Sequence, residues 1–400
     1  MENIKFEVVS KISKLGMRAR EIAKVSKFES VSPPSVFVGS RLRYPLVNVG
    51  ILSPLEKEKE AWIFDDSKYW AENDFSISDV VKLRSSLLNS RFQSKVQDVR
   101  LNKKFVEIAK NIAIAYRPVD VEIELKNRIN TDKKNDKVLT MHGMKAGLKD
   151  ARVTSNVKIH QKVDKVINDD IKAVEGISYL YKNYFNEYAL QKILSIGVLG
   201  LKKDKRMVPT RWSITATDDM LAKDVLAKVR AYPWINEHYL FYGEFLGNQY
   251  LILFFPGTWS FELFELYYPG SSWNPSTEMK ASTDNEGLYG RKNYAKSTAG
   301  GYYATRFPIS EFLNSMKRQA SVLVIRLETP SYWAALGVWV VRESVRKALK
   351  NGKRFSSKKE FLDAVKQISK IKYKFDPSDI FAKSKLMKDL NEQKRLFEWF

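Results

Sequence analysis

Residues 210–219 read Thr-Arg-Trp-Ser-Ile-Thr-Ala-Thr-Asp-Asp, the densest group of polar side chains on an otherwise apolar stretch. Met207 to Thr217 reads as a strand, and alternate residues of a strand share a face, so Arg211, Ser213, Thr215 and Thr217 would point together. A guanidinium beside several hydroxyls is equipment for gripping a phosphate or a carboxylate. Asp218, followed by Asp219, also reads as the cap of a helix from Met220 to Val229, and the two readings are compatible.

A second group is Gly300, Gly301, Tyr302, Tyr303 and Arg306. Adjacent glycines let backbone approach a ligand, and tyrosines stack on bases. Equally, the glycines open a strand and the tyrosines fill a core. Glu343, on the helix after Trp339, is the carboxylate best suited to acid–base work, although an ion pair with Arg342 accounts for it as well. An arginine, hydroxyls on a strand and a distant glutamate loosely resemble ADP-ribosyl-transferring enzymes. Other enzyme signatures are missing: there is no Walker loop, no dinucleotide fingerprint and no His-Glu-x-x-His. His142, His160 and His238 lack metal spacing, and the pairs Asp65-Asp66 and Asp169-Asp170 are of a common kind. The chain has no cysteine, which excludes disulfides, thiolate nucleophiles and thiolate metal sites. No metal site is expected, whereas a bound nucleotide remains open.

The most specific spacing is at the end, Gln393-Lys-Arg-Leu396-Phe397-Glu-Trp399-Phe400. In one helical turn Leu396, Trp399 and Phe400 fall on one face and form a three-pronged apolar plug. Gln393 supplies a donor and an acceptor at its edge. The stretch resembles the PCNA-interacting peptide, which plugs into replication sliding clamps: Gln393, Leu396, Trp399 and Phe400 fill each fixed position, with Phe397 beside them. The plainer alternative is a last helical turn docked on its own core. The lysine-rich run from Lys383 to Glu392 suits a solvated tether.

At 400 residues, 44% of them hydrophobic, the chain can bury a large core in about two domains. Its net charge of +22 points to a polyanionic partner, with DNA first; lysine enrichment in thermophiles is the competing explanation. Without a signal peptide or an apolar run long enough for a bilayer, the chain is expected in the cytoplasm, beside the nucleoid.

Going along the chain, Phe6 to Val25 reads as a basic amphipathic helix, and Pro33 and Pro34 stop it before two short β-rich runs. Helices are expected over Ile77–Phe92, Lys103–Tyr116, Lys158–Phe185 (broken at Gly176), Leu190–Ile196, Phe312–Arg318, Val338–Leu349 and Phe361–Ile371. Strands are expected over Pro118–Lys126, Phe261–Tyr268 and Ser321–Leu327, with a hairpin over His238–Phe255 turning at Gly247-Asn248. Asn127–Asp136 reads as a surface loop and Pro269–Gly301 as a long one. The sum is α+β, a largely antiparallel sheet surrounded by helices, with a flexible C-terminal tail.

Ser32-Pro-Pro-Ser-Val-Phe-Val-Gly39, Val47-Asn-Val-Gly50, Leu83-Arg-Ser-Ser-Leu87, Val208 to Ala216, Gly300-Gly-Tyr-Tyr-Ala304 and Gly337-Val-Trp339 together resemble the archaeal Nre family of DNA-repair proteins. The resemblance runs from about Ser32 to the C-terminus. It implies a role in DNA-damage repair and clamp binding through the tail. Many relatives carry a four-cysteine zinc motif before the Ser-Pro-Pro-Ser segment; a basic helix stands there instead, so no zinc is expected. The expected divisions are a basic helix over 1–31, Nre-like regions over 32–290 and 291–374, and a tether with clamp peptide over 375–400. The leading function is a clamp-recruited repair factor with a basic, DNA-contacting body and a phosphate pocket of Arg211, Ser213, Thr215 and Arg306. The alternatives are a nucleotide- or ADP-ribose-handling enzyme delivered by the clamp, and an RNA-binding protein.

Overall fold

A computed structural model of the chain describes residues 25–40, 42–127, 129 and 143–392. The expected N-terminal helix up to Lys24, most of the loop over 127–136, His142 and the clamp peptide from Gln393 lie outside the described residues. The chain divides into two compact units, Met1–Leu221 with Ala334–Gly337, and Ala222–Trp333 with Val338–Phe400. The architecture is α+β.

The first unit holds a six-stranded sheet in the order β1-β5-β6-β4-β3-β2. Its strands are β1 (Lys27–Ser32), β2 (Val36–Val38), β3 (Leu46–Ser53), β4 (Leu88–Lys95), β5 (Val119–Leu125) and β6 (Lys145–Val153). Every neighbouring pair is antiparallel except β4 and β6. In β5, Val119, Val121, Ile123 and Leu125 are buried while Asp120, Glu122 and Glu124 face outward, the alternation that marks a half-buried strand. Around the sheet lie α1 (Ser67–Glu72), α2 (Ile77–Ser86), α3 (Lys104–Ile114), α4 (Gln161–Asn168), α5 (Ala173–Lys182) and α6 (Glu187–Ile196). A 20-residue helix, α7 (Thr210–Val229), begins in this unit.

Two helix expectations change here. The helix expected over Ile77–Phe92 stops at Ser86: Leu87 is extended, and the polar run after it pairs with β3 as strand β4. The long helix expected over Lys158–Phe185 is two, broken at Asp169–Lys172 and not at Gly176. Gly176 lies inside α5, where a Cβ would come within 2.8 Å of Val166 on α4, so the glycine sets how closely the two helices pack.

The second unit is a three-layer sandwich. Its sheet runs β10-β9-β11-β8-β7-β12, with β7 (His238–Phe245), β8 (Asn248–Phe255), β9 (Ser260–Tyr267), β10 (Lys280–Glu286), β11 (Ser321–Glu328) and β12 (Gly352–Phe355). Only β9 and β11 pair in parallel. The hairpin turn falls at Leu246-Gly247, both at positive φ, one residue earlier than expected. The long loop expected over Pro269–Gly301 contains the edge strand β10. One face of the sheet, with Leu240, Leu251, Leu253, Phe264, Leu323 and Ile325, is covered by α10 (Lys358–Tyr373), α11 (Ser378–Lys383) and α12 (Lys385–Glu392). The other face carries α8 (Ala299–Met316) and α9 (Trp339–Ala348), with Phe312 of α8 against Phe241 and Phe254, and Ala348 of α9 against Gly243.

The run Lys383–Glu392, expected as a solvated tether, is helical and docked. Leu386 and Met387 are buried with Ile380 in the sheet's core, and Leu390 packs against it. A polar sequence hid this because its apolar residues fall on one face of a two-turn helix.

Candidate functional site

The polar group over 210–219 sits on α7 and not on a strand. Pro209 starts the helix: its carbonyl accepts from the N–H of Trp212 (2.8 Å) and of Ser213 (3.0 Å). Residues two apart on a helix point to opposite sides, so Arg211, Ser213, Thr215 and Thr217 form no common face. The Ser213 and Thr215 hydroxyls serve the helix itself. Ser213 Oγ donates to the Thr210 carbonyl at 3.0 Å and Thr215 Oγ1 to the Trp212 carbonyl at 3.2 Å. Asp218 is buried in mid-helix and Asp219 follows it, so neither caps a helix start. Thr210 reaches beyond the helix: its Oγ1 accepts from Val38 N–H at 2.9 Å and lies 3.0 Å from Ser195 Oγ.

Elsewhere in this unit Asp65 is half-buried against the buried Arg84, with Lys192 Nζ at 3.2 Å from its carboxylate. Burial alone would raise its pKa, but Lys192, Arg84 and the Ser35 hydroxyl hold it below the usual carboxylate value. Two segments of the Nre-like sequence, Ser32–Gly39 and Leu83–Leu87, thus meet at one carboxylate.

In the second unit, Gly300 and Gly301 open α8 and begin no strand. Tyr302 and Tyr303 are buried, so the expectation that they stack on bases does not hold. Their rings cradle Arg306 instead, whose guanidinium lies 5.7 and 5.5 Å from their centroids. Arg306 Nη1 reaches Glu286 Oε2 at 2.7 Å, and Trp259 Nε1 donates to Glu286 Oε1 at 3.0 Å. Burial, with the Glu286 carboxylate beside it, pushes the Tyr302 phenol far up.

A second buried network lies on the same sheet face. Arg326 stands opposite Glu265 in the β11–β9 register. Its Nη1 donates to Glu265, its Nη2 to Glu328 at 3.0 Å and to Asn248 Oδ1 at 2.6 Å, and its Nε to the same Asn248 oxygen at 3.0 Å. Tyr267 OH donates to Glu265 Oε2 at 2.7 Å. Burial pushes the Glu328 carboxyl up to about 7, with Glu265 adding to the effect and Arg326 opposing it.

Glu328 is therefore the carboxylate whose environment suits proton exchange near neutrality. Sequence reasoning passed over it for Glu343, which is ion-paired to Arg346 at 2.8 Å. The signal was present: Arg326 and Glu328 are charges two apart in an otherwise apolar strand, hence on one face. Arg211, Ser213, Thr215, Asp218 and Asp219 belong to the first unit, and Tyr302, Tyr303, Arg306 and Glu343 to the second. Among the described residues no cluster of three His, Asp or Glu side chains could hold a metal ion. Likewise, no helix among them is long and apolar enough to cross a membrane.

Two family models match the sequence: archaeal Nre, N-terminal, over residues 2–274, and archaeal Nre, C-terminal, over residues 286–399. DNA repair protein NreA of Haloferax volcanii is 40% identical over 342 residues, covering 84% of this chain and 81% of that protein. DNA repair protein NreA of Archaeoglobus fulgidus is 40% identical over 333 residues, 83% of this chain and 82% of its own. DNA repair protein NreB of the same organism is 34% identical over 351 residues, 85% of this chain and 87% of its own. No solved structure matches.

Proposed function

Since the chain belongs to the archaeal Nre family, we propose that it is a DNA-repair factor recruited to a PCNA-type sliding clamp by its last eight residues. Its basic body contacts DNA, in the cytoplasm beside the nucleoid. The repair role is supported by the names of its relatives. DNA contact is supported by the net charge of +22.

The observation that carries recruitment is the placement of the clamp-type residues. Gln393, Leu396, Phe397, Trp399 and Phe400 begin one residue after α12, which is anchored on the second sheet. A clamp-bound peptide in that position would hold the basic body close to the DNA that the clamp encircles. Modest peptide affinity would then suffice, because the clamp raises the effective concentration of protein at DNA.

The test is calorimetric titration of the clamp with the intact chain and with a Leu396→Ala/Trp399→Ala/Phe400→Ala variant. A micromolar complex, about −8 kcal/mol, that disappears in a normally melting variant is the expected result. An intact chain that ignores the clamp overturns recruitment, and so does a variant that binds equally well.

A second reading, a nucleotide- or ADP-ribose-handling enzyme delivered by the clamp, is favoured by Glu328, raised to about 7 beside Arg326. A stoichiometric nucleotide signal lost in Glu328→Gln or Arg211→Ala would support it, and silence across a panel of nucleotides and ADP-ribose would remove it.

A further inference from the structure

Two corners of the second unit are stapled together, where α7 leads into β7 and where α8 leads into β11. Gln319 Nε2 donates to the carbonyls of Arg230 (3.1 Å) and Tyr232 (2.6 Å). Gln319 N–H donates to the Pro233 carbonyl and Ile235 N–H to the Gln319 carbonyl, both at 3.0 Å. Tyr232 OH donates to Asn314 Oδ1 at 3.0 Å, and Lys317 Nζ lies 5.4 Å from the Tyr232 ring centroid. On this fixed base Trp234 is 53% exposed, and Lys317 and Arg318 are exposed as well.

A third segment closes on the same corner. In the loop over 287–298 a Cβ on Gly290 would lie 3.5 Å from Arg230 Nη2. The loop is held from beneath: Arg291 Nη1 donates to the Asn285 carbonyl at 2.7 Å and its Nη2 pairs with Asp284 at 3.0 Å. Thr298 N–H donates to Asp284 at 2.8 Å, and Ala295 N–H to Tyr303 OH at 2.9 Å. Upon this frame Tyr289 is 92% exposed, and Tyr294, packed on the Tyr303 ring, is 49% exposed.

We infer that this corner is a binding site for an unpaired DNA strand. Bases stack on Trp234, Tyr289 and Tyr294, and phosphates meet Arg230, Lys317 and Arg318. A surface made only for duplex phosphates needs cations but no rings, because duplex bases are already stacked on one another. Exposed rings alternating with cations are what a single strand requires: every base has a π-face to stack, and every linkage a charge to neutralise. A backbone fixed by hydrogen bonds beneath the rings loses little entropy when a strand binds. The choice of DNA over RNA rests on the repair function proposed above.

The test is fluorescence anisotropy of a labelled oligo-dT strand with the full chain at several salt concentrations, beside a duplex and an oligo-U strand of equal length. Trp234→Ala/Tyr289→Ala should weaken strand binding about tenfold or more. Lys317→Glu/Arg318→Glu should lower the slope of log affinity against log salt by about 1.4, at about 0.7 for each phosphate. All four side chains are exposed, and melting of each variant is measured alongside. Strand binding unchanged in both variants overturns this surface while leaving DNA contact standing elsewhere. Tighter binding of duplex or of oligo-U overturns the assignment to unpaired DNA. An intact chain that binds no nucleic acid overturns both this site and the DNA contact proposed above, independently of the clamp titration.

Discussion

Gly301 approaches Glu265 so closely that a Cβ on the glycine would lie 2.2 Å from Oε1 of the carboxylate. The carboxylate has little freedom to retreat: Oε1 takes Arg326 Nη1 and Oε2 takes the Tyr267 hydroxyl. The first turn of α8 also presents its free N–H groups and positive dipole end on this side, which favours a carboxylate. Gly301 thus seats a helix start on a buried ion network, a structural duty that explains it without a ligand.

The first prediction follows directly. Gly301→Ala must displace Glu265 or the helix, and overpacking of this kind costs about 1–3 kcal/mol. Urea denaturation should show a lower midpoint with an unchanged slope. A midpoint equal to that of the unaltered chain would mean that the Glu265–Arg326 pair shifts freely.

The start of α12 depends on another carboxylate of β9. Glu262, buried on the opposite face, accepts from Lys385 N–H at 3.1 Å, from Leu386 N–H at 2.9 Å and from the Ser384 hydroxyl. These are helix-end donors with no partner within the helix. Glu262→Ala should cost about 1–3 kcal/mol and speed hydrogen exchange at Lys385 to Met387 before it affects the sheet. Exchange that stays slow there would show that Leu386 and Met387 hold the helix by packing alone. In the clamp reading, the same variant should loosen the body on its peptide without weakening the peptide itself.

Buried charge gives the third prediction. Arg306 and Glu286 are both buried, with Trp259 Nε1 also donating to the carboxylate. Arg306→Met leaves the carboxylate buried without its cation, and breaking such a pair costs about 3–5 kcal/mol. Adding Glu286→Gln should return much of that loss, since the remaining amide needs no counter-charge. The readout is chemical denaturation of the single and double variants. A double variant no more stable than Arg306→Met would place the damage in lost packing against Tyr302 and Tyr303.

What could be read from the residues was mainly what one face decides. The alternation of β5, the paired runs of β7 and β8 and the apolar run of β11 each state their own burial, and each folds as expected. The helix over Thr210–Thr217 was hidden by its threonines and isoleucine, which fit a strand as well. There, packing around Thr210 and the start at Pro209 outweigh local preference. The helix over Ala299–Met316 was hidden by Gly300, Gly301 and Pro308, which ordinarily interrupt helices. The eleven residues Gly300–Ser310 are all buried, so tertiary packing offsets the weak local propensity. Glu328 was missed because its perturbation comes first from burial and then from Glu265, both set by tertiary packing and not by neighbours in sequence.

The last prediction concerns pH, where two carboxylates act with opposite sign. Glu328 is raised from 4.5 to about 7, so across that window the folded state holds a proton that the unfolded state has released. Its contribution to stability is complete below the unfolded pKa and is lost as pH rises through about 7. Asp65 is lowered below 3.8, so its contribution is present above that value and is lost as pH falls through the folded pKa. Denaturation followed from acid to pH 8 should therefore show stability rising out of the acid limb and then declining toward neutrality. Glu328→Gln should abolish the neutral decline and leave the acid limb, because the amide oxygen can still accept from Arg326 without titrating. Asp65→Asn should instead flatten the acid limb and lower stability at neutral pH, where Arg84 and Lys192 would lose their counter-charge. A neutral decline that persists in Glu328→Gln would assign the proton to another group and remove Glu328 as a candidate for proton exchange.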